Sequence, residues 1–321
     1  MTALLHPRWP LLCVYPLFAA FFWIGYLRLV RLLFRWFMPE RYDRFSEMNE
    51  ICFRQNVLSG VHTLLSAMCL LAALVVDRDL LTTNRLYAHD SMLLYLDLSM
   101  SLGYFSFSLP MSVAMASEGF PYGSRLMVVH HSLVAAAQVT FLLTQYPSGY
   151  MAASGFLFEA TNLFFIPHVL LLQLGAPQRL RSVVGGALVI VYTLARCVAC
   201  TALAVLSVSD LRHFTPPPDV QRAGGAAGCW LAMGCGLGCF YGLLLISWYW
   251  YFTSILPSLH SGLQAVLGRH YYRACCPARL RLAVWRRFTR EGRAHDERER
   301  EMRAALRALR AENEPFELES N

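Results

Sequence analysis

The chain contains no lysine, and all 28 of its basic residues are arginine. This absence excludes chemistry that needs a lysine nucleophile or a lysine Schiff base. Charge of either sign is also scarce, because only 15% of the 321 residues are charged, against about 25% in soluble proteins. Together with a hydrophobic content of 56%, this composition excludes an ordinary soluble globular domain.

The sequence also lacks the pattern of a disulfide framework. Seven of the ten cysteines lie inside apolar runs, where cysteine behaves as a small buried hydrophobe, so we expect free thiols. They are Cys13, Cys69, Cys197, Cys200, Cys229, Cys235 and Cys239. No short leader with a small-residue cleavage site precedes the first apolar run, and we expect that run to be retained as a membrane helix. Cys275-Cys276 lies among arginines after the last run, a context compatible with S-palmitoylation.

Apolar runs of about 20 residues, the length that crosses a bilayer core of about 30 Å, recur along the chain. They predict seven transmembrane helices, near residues 9–27 with an arginine-rich extension to Met38, 57–76, 91–116, 126–145, 150–174, 183–208 and 226–256. The predicted fold class is an all-α polytopic membrane protein. Residues 1–53 form the first helix and a basic cytosolic loop, 54–256 the main membrane domain, and 257–321 a cytosolic helical tail of mixed charge.

The distribution of arginine predicts the orientation of these helices. Seven spans put the two termini on opposite sides, and 22 arginines then fall on the side of the C-terminus against five on the other. Loops rich in Arg and Lys stay in the cytosol. We therefore expect a cytosolic C-terminus and an N-terminus in a lumen or outside the cell.

Polar residues inside the predicted spans are few, and each needs a partner or an aqueous cavity. The set comprises His62, Asp97, His130, His131, Glu159, Asn162, His168 and Arg196. The predicted orientation places all four histidines in the cytosolic half of the membrane, with Glu159 and Arg196 deeper and Asp97 toward the lumen. We expect the set to line one cytosol-facing cavity.

Arg196 is the costliest of these residues, since a charge at the bilayer centre costs at least about 2.5–3.5 kcal/mol. Glu159 is its expected ion-pair partner, either as a structural tie between two spans or as part of a site beside the histidines. Adjacent histidines on a helix point about 100° apart, so one of His130 and His131 can act while the other braces it. A neutral imidazole can serve as a general base or a nucleophile.

Metal-ligand spacing is weak in this sequence. No HExxH pattern occurs, and Cys197-Val198-Ala199-Cys200 has no companion pair. We expect no metal and no cofactor.

Six pieces of the chain, taken in order, resemble the TLC (TRAM–LAG1–CLN8) domain family. They are RQNVLSGVHTLLSA at 54–67, SLGYFSFSLP at 101–110, MVVHHSLVAAAQV at 127–139, GFLFEATNLFF at 155–165, Arg196, and SWYWYFTSIL at 247–256. The resemblance is closest to the TLC domain-containing proteins and more distant to ceramide synthases. It implies a bundle of six membrane helices with a central cavity, here the last six spans over 54–256.

Several positions depart from the family pattern. Ser108 stands where the GYFxxDL segment has Asp, and Val134 stands where ceramide synthases have Thr after the histidine pair. Leu163 and Ile166 replace the Pro and Asn that usually close the acidic helix. These departures count against identity as a ceramide synthase.

The resemblance implies two functions. The first, which the departures favour, is membrane lipid homeostasis through lipid binding or transport in the cavity. The alternative is an acyltransferase that uses acyl-CoA as co-substrate, with His130 or His131 as nucleophile or base and Glu159 orienting or polarising. His62, Asp97, Asn162, His168 and Arg196 would contact the substrate.

The expected partners are membrane lipids carrying a fatty acyl or sphingolipid chain, with no nucleic acid, and a homo-oligomer is compatible with the resemblance. The endoplasmic reticulum is the location that the family implies. A seven-span receptor is disfavoured, because the third span has no Asp-Arg-Tyr-like end and the seventh no Asn-Pro-x-x-Tyr-like end.

Overall fold

The computed structural model describes residues 14–42, 45–82, 86, 91–117, 125–144, 148–216, 225–257, 297 and 301. Every regular element in those ranges is helical. The chain divides into two compact units, Met1–Tyr251 and Phe252–Asn321. In the second unit, Glu297 and Glu301 are helical and exposed, whereas most of the predicted helical tail, including Cys275-Cys276, lies outside the described residues.

The helices are numbered here along the chain. They are α1 (Tyr15–Phe37), α2 (Pro39–Tyr42), α3 (Glu47–Val76), α4 (Met92–Ser117), α5 (Arg125–Thr144), α6 (Gly149–Gln173), α7 (Gln178–Arg212) and α8 (Ala226–Ile255). A short 3₁₀ turn, Arg78–Leu80, follows α3. Three of the long helices contain a π-helical segment, Gly25–Leu29 in α1, Tyr192–Ala199 in α7 and Tyr251–Ile255 in α8.

Six of these helices are long and apolar enough to cross a membrane: α1, α3, α4, α6, α7 and α8. The fourth predicted span, 126–145, corresponds to α5, a helix of 20 residues that is not among the six. The seven-span count and the orientation therefore stay predictions. The helix that contains the second predicted span, 57–76, begins ten residues before that span, at Glu47.

Helix ends follow ordinary capping chemistry. The hydroxyl of Ser46 accepts a hydrogen bond from the Asn49 backbone N–H at 3.3 Å, and Ser148 accepts one from Met151 N–H at 3.2 Å. Each hydroxyl satisfies a backbone donor that the first turn leaves without a partner. Beyond α6, Gly175 has φ of 60°, a left-handed conformation that glycine adopts without a steric penalty. This turn lets α7 start within a few residues.

A small polar cluster joins α1 to the start of α3. Tyr42 Oη donates to Glu50 Oε1 at 2.7 Å, and Arg31 and Arg54 lie 3.4 and 3.6 Å from the same oxygen. Burial and the hydrogen bond to Glu50 raise the pKa of Tyr42 to about 12. One carboxylate therefore connects Tyr42, Arg31 of α1 and Arg54 of α3.

The helices pack in neighbouring pairs: α1 on α4, α3 on α4 and α6, α5 on α4 and α8, and α6 on α7. At the α1–α4 contact, a Cβ on Gly103 would lie 2.6 Å from Phe18 Cβ and 2.9 Å from the Ala19 backbone nitrogen. Large apolar side chains such as Trp36 and Leu245 point outward, 78% and 71% exposed, as expected of a surface that faces lipid tails. The seven cysteines that the structure describes are free thiols.

Candidate functional site

One cavity in the first unit brings most of the predicted site residues together. Its lining includes six of the eight, namely His62, Asp97, His130, Glu159, Asn162 and Arg196, together with apolar side chains such as Phe105, Val134 and Leu243. The cavity volume is about 120 Å³, and since one enclosed water needs about 10–15 Å³, the cavity has room for roughly ten water molecules.

Arg196 lies in the π-helical segment of α7 and is 4% exposed. Its Nε donates to Thr161 Oγ1 at 2.6 Å, and its Nη2 donates to the Phe158 carbonyl at 3.1 Å and to Asn162 Oδ1 at 2.9 Å. The guanidinium also lies 4.9 Å from the Phe158 ring centre and 5.3 Å from that of Tyr192. π-Helical segments are frequent at functional sites. All of these partners are uncharged.

Glu159 and Arg196 do not form the direct ion pair that the sequence predicts, and that expectation is wrong. The carboxylate of Glu159 instead accepts hydrogen bonds from Thr63 Oγ1 at 2.6 Å and Asn162 Nδ2 at 3.3 Å. Asn162 thus presents its carbonyl oxygen to the cation and its NH₂ to the anion. The two charges are linked through one carboxamide because Asn162 lies three residues after Glu159, on the same face of α6.

His130 lines the cavity, and its Nδ1 is buried with no hydrogen-bond partner among the described residues. Its ring centre lies 5.6 Å from that of His131 and 5.6 Å from that of Trp250. A buried ring nitrogen without a partner is costly in a folded protein. It is also available to accept a proton or to bond a ligand.

His131 is buried but is not part of the cavity lining. Its Nδ1 lies 2.9 Å from Ser112 Oγ and 3.2 Å from Ser108 Oγ, both on α4. Ser108 is the residue that stands in place of the family's Asp. Of the two adjacent histidines, His130 therefore faces the cavity and His131 is anchored between helices by two hydroxyls.

His62 on α3 is fixed by its neighbours on α4. Its Nε2 lies 2.9 Å from Ser101 Oγ, and its ring stacks on Tyr104 with centres 4.1 Å apart and planes 13° apart. Tyr104 Oη in turn lies 2.6 Å from Ser59 Oγ. Ser59 therefore contacts the hydroxyl of Tyr104, and His62 contacts the face of its ring. The stacked ring orients the imidazole at the cavity wall.

Asp97 and Gln138 mark another part of the cavity wall. Asp97, on α4, is 3% exposed and accepts a hydrogen bond from Ser66 Oγ at 2.6 Å. Gln138, on α5, is 7% exposed, and its Oε1 has no hydrogen-bond partner among the described residues. Both residues line the cavity.

The structure does not bring His168 to the cavity. Its ring packs against Gly185 of α7, where a Cβ would lie 3.0 Å from His168 Cε1. The expectation that all four histidines line one cavity therefore fails for His131 and His168. Within the described ranges, no three side chains of His, Cys, Asp or Glu are arranged to hold a metal ion.

Sequence reasoning missed several of the polar groups that complete the site. Thr63 and Thr161 are uncharged, and a hydroxyl inside an apolar run gives no signal, because it can bond its own helix backbone. Gln138 interrupts the run AAAQV in α5. A carboxamide there is costly to bury without partners, so applying the criterion used for charged residues would have found it.

The comparisons with known proteins bear on the whole of this site. The family model described as TLC domain, of the TRAM_LAG1_CLN8 family, matches residues 52–255. This range contains every residue of the cavity lining and confirms the resemblance found in the sequence. No curated protein matches the chain.

Proposed function

This chain belongs to the TLC domain family, and from that premise we propose that it acts in membrane lipid homeostasis by binding or transporting a lipid in the cavity. The six apolar helices make it a multi-pass membrane protein, and the family points to a function connected with membrane lipids. The observation that carries the proposal is a buried cation, Arg196, at the wall of a cavity that polar and apolar side chains line together.

The charge of Arg196 supports a lipid whose head group is anionic or a strong hydrogen-bond acceptor. Taking a guanidinium out of water costs several kcal/mol unless an opposite charge or hydrogen bonds compensate. In this protein the compensation comes from hydrogen bonds to neutral groups. Glu159 contributes only indirectly, because Asn162 lies between the carboxylate and the guanidinium. A carboxylate or phosphate entering beside Arg196 would provide the missing direct counter-charge.

The remaining wall supports binding of an acyl chain. Phe105, Val134, Phe240 and Leu243 line the space beside the polar groups. Burial of apolar surface there favours a chain by about 25 cal/mol for each Å² removed from water. A cavity volume of about 120 Å³ accommodates one stretch of chain rather than a whole two-chain lipid.

The test is to identify the lipid that the protein retains. Wild-type protein and the variants Arg196→Gln and Arg212→Gln are purified in mild detergent, and their lipids are extracted and quantified by mass spectrometry. Arg212, exposed on the same helix, is the matched control. We expect an anionic lipid or fatty acid to be retained by wild type and Arg212→Gln and to be lost from Arg196→Gln. Equal retention by all three, at the level of bulk detergent-carried lipid, would overturn the proposal.

A second function, acyl transfer from acyl-CoA, is favoured by one specific observation, the unpartnered Nδ1 of His130 at the cavity wall. As a general base, Nδ1 of His130 would take the proton from a hydroxyl or amine of the lipid. The oxygen or nitrogen of that lipid group attacks the thioester carbonyl at the same time. The C–S bond then breaks, and the imidazolium returns the proton to the departing CoA thiolate. His131, held by Ser112 and Ser108, would brace the helix turn that carries His130.

Acyl transfer is tested with a radiolabelled acyl-CoA and purified protein in nanodiscs of cell-derived lipid. The variants are His130→Ala and His213→Ala, since His213 is exposed beyond the end of α7 and serves as the control. A labelled lipid formed by wild type and His213→Ala but not by His130→Ala would establish the enzyme. Without turnover by wild type, lipid binding alone would remain as the function.

A further inference from the structure

We infer that the cavity has a second polar end, formed by Asp97 and Gln138, that accepts a hydrogen-bond donor carried partway along the lipid chain. The donor would be a hydroxyl, an ammonium or an amide N–H. This inference rests on the proposed lipid binding and goes further by naming a chemical feature of the bound lipid. It stands on two acceptors that line the cavity without sufficient partners of their own.

Gln138 provides the first acceptor. Its side chain is more than nine-tenths buried, it lines the cavity, and its Oε1 has no hydrogen-bond partner among the described residues. A buried carbonyl oxygen in this state has lost the hydrogen bond that water would give it in the unfolded chain. Nearly all buried polar groups in folded proteins have a partner, so a donor is expected to enter the cavity at this point.

Asp97, on α4, provides the second acceptor. Its Oδ1 accepts from Ser66, which is its one hydrogen-bond partner in the described part of the chain. Leu98, next to Asp97, packs in one cluster with Phe141 and Ala137, which flank Gln138. Ionised or not, a carboxyl group keeps further acceptor capacity after one such bond. Both residues therefore present acceptor capacity to the cavity, Gln138 through an oxygen without a partner and Asp97 through a carboxyl group that accepts from Ser66.

Along α5, apolar side chains separate this second end from His130. His130 and Gln138 are eight residues apart on α5, which corresponds to about 12 Å at 1.5 Å per residue. Val134 and Ala137 line the cavity between them. With carbon–carbon bonds of about 1.5 Å, an extended chain covers this separation in roughly ten bonds. A lipid with its head group near His130 would place a mid-chain donor beside Gln138.

The experiment compares three fatty acids that differ in one hydroxyl. Octadecanoic, 10-hydroxyoctadecanoic and 2-hydroxyoctadecanoic acid are titrated into the full-length protein in detergent micelles, and Kd is measured by isothermal titration calorimetry. We expect the 10-hydroxy acid to bind about three- to tenfold more tightly than octadecanoic acid, the contribution of one hydrogen bond. The 2-hydroxy acid should gain nothing, because its hydroxyl lies beside the carboxylate.

Variants assign the gain to the second end. Gln138→Met keeps the length of the side chain and removes the acceptor, and we expect it to reduce the gain from the 10-hydroxyl, taken as the ratio of the Kd values of the two acids measured on the variant itself. Gln178→Met, on the exposed first turn of α7, should keep the whole gain. The comparison of the three acids in wild type needs no variant, so it stands even if Gln138→Met fails to fold.

The outcomes separate this inference from the proposed function. If octadecanoic and 10-hydroxyoctadecanoic acid bind equally, the second end is occupied by water and the inference is overturned while lipid binding stands. A gain that Gln138→Met leaves intact assigns the hydroxyl to other groups and overturns it as well. If none of the three acids binds to wild type, the proposed lipid site itself fails.

Discussion

The link between Arg196 and Asn162 leads to a prediction that can be worked through in energies. The variants are Arg196→Met, Asn162→Leu and both together. The 2.9 Å bond joins a charged donor to a neutral acceptor, a class that contributes about 1.5–3 kcal/mol to stability. In a double-mutant cycle the two changes should therefore be non-additive by about that amount. Each single change should destabilise, because it leaves the other side chain without its partner.

The measurement is the free energy of unfolding in mixed detergent micelles, with Arg212→Met as the exposed control that should change it little. A second cycle with Glu159→Gln separates the observed geometry from the predicted one. A direct ion pair at 4 Å would couple the two charges by about 4 kcal/mol at an effective dielectric constant of about 20. We expect the Arg196–Glu159 coupling to be smaller, and to depend on Asn162.

The reasoning is refuted if the coupling of Arg196 to Glu159 exceeds its coupling to Asn162. That result would mean that the cation and the carboxylate are in direct contact in the membrane, and that Asn162 does not mediate their interaction. A coupling to Asn162 below about 0.5 kcal/mol, the lower limit for an ordinary intramolecular hydrogen bond, would also contradict the structure.

Three further outcomes are expected in the same unfolding assay. Gly103→Ala should destabilise the protein by about 1–3 kcal/mol, because the new Cβ would lie 2.9 Å from backbone of α1. Gly186→Ala is the control: a Cβ there has open space around it, so the change should be neutral or stabilising by up to about 1 kcal/mol. Gly175→Ala should cost about 1–2 kcal/mol, because φ of 60° is strained for alanine; a change below about 0.5 kcal/mol would contradict the left-handed turn. Ser112→Ala should cost about 1 kcal/mol through the lost 2.9 Å bond to His131, and an unchanged His131 proton resonance in NMR would contradict that contact.

Helix positions were largely predictable because a long apolar run is a local property. The predicted span 91–116 and the observed Met92–Ser117 differ by one residue at each end. The largest difference is at the start of α3, where the helix extends ten residues before the predicted span, because Glu47, Glu50 and Arg54 fit a helix although hydropathy excludes them from a membrane span. Ser46, which accepts the Asn49 N–H, is a capping signal that would have located the true start.

The sequence predicted most of the residues that form the candidate site, but not which of them contact one another. Seven ionisable residues in apolar runs were singled out by their cost, together with Asn162, and six of these eight residues line the cavity. His168 met the same criterion but packs against Gly185 instead. The uncharged groups that hold the site, such as Thr161 and Gln138, passed unnoticed because hydroxyls and carboxamides cost less to bury than charges.

The sequence by itself determined that this chain is helical, that it is a multi-pass membrane protein and that it belongs to the TLC domain family, because composition and ordered segments carry that information residue by residue. Only the tertiary structure decided that His130 faces the cavity while His131 contacts Ser112, and that Asn162 stands between Glu159 and Arg196. The physical reason is that adjacent residues on a helix differ by about 100° in direction. Which of them meets a partner depends on how each helix is rotated against its neighbours, and this rotation is set by packing across the whole bundle.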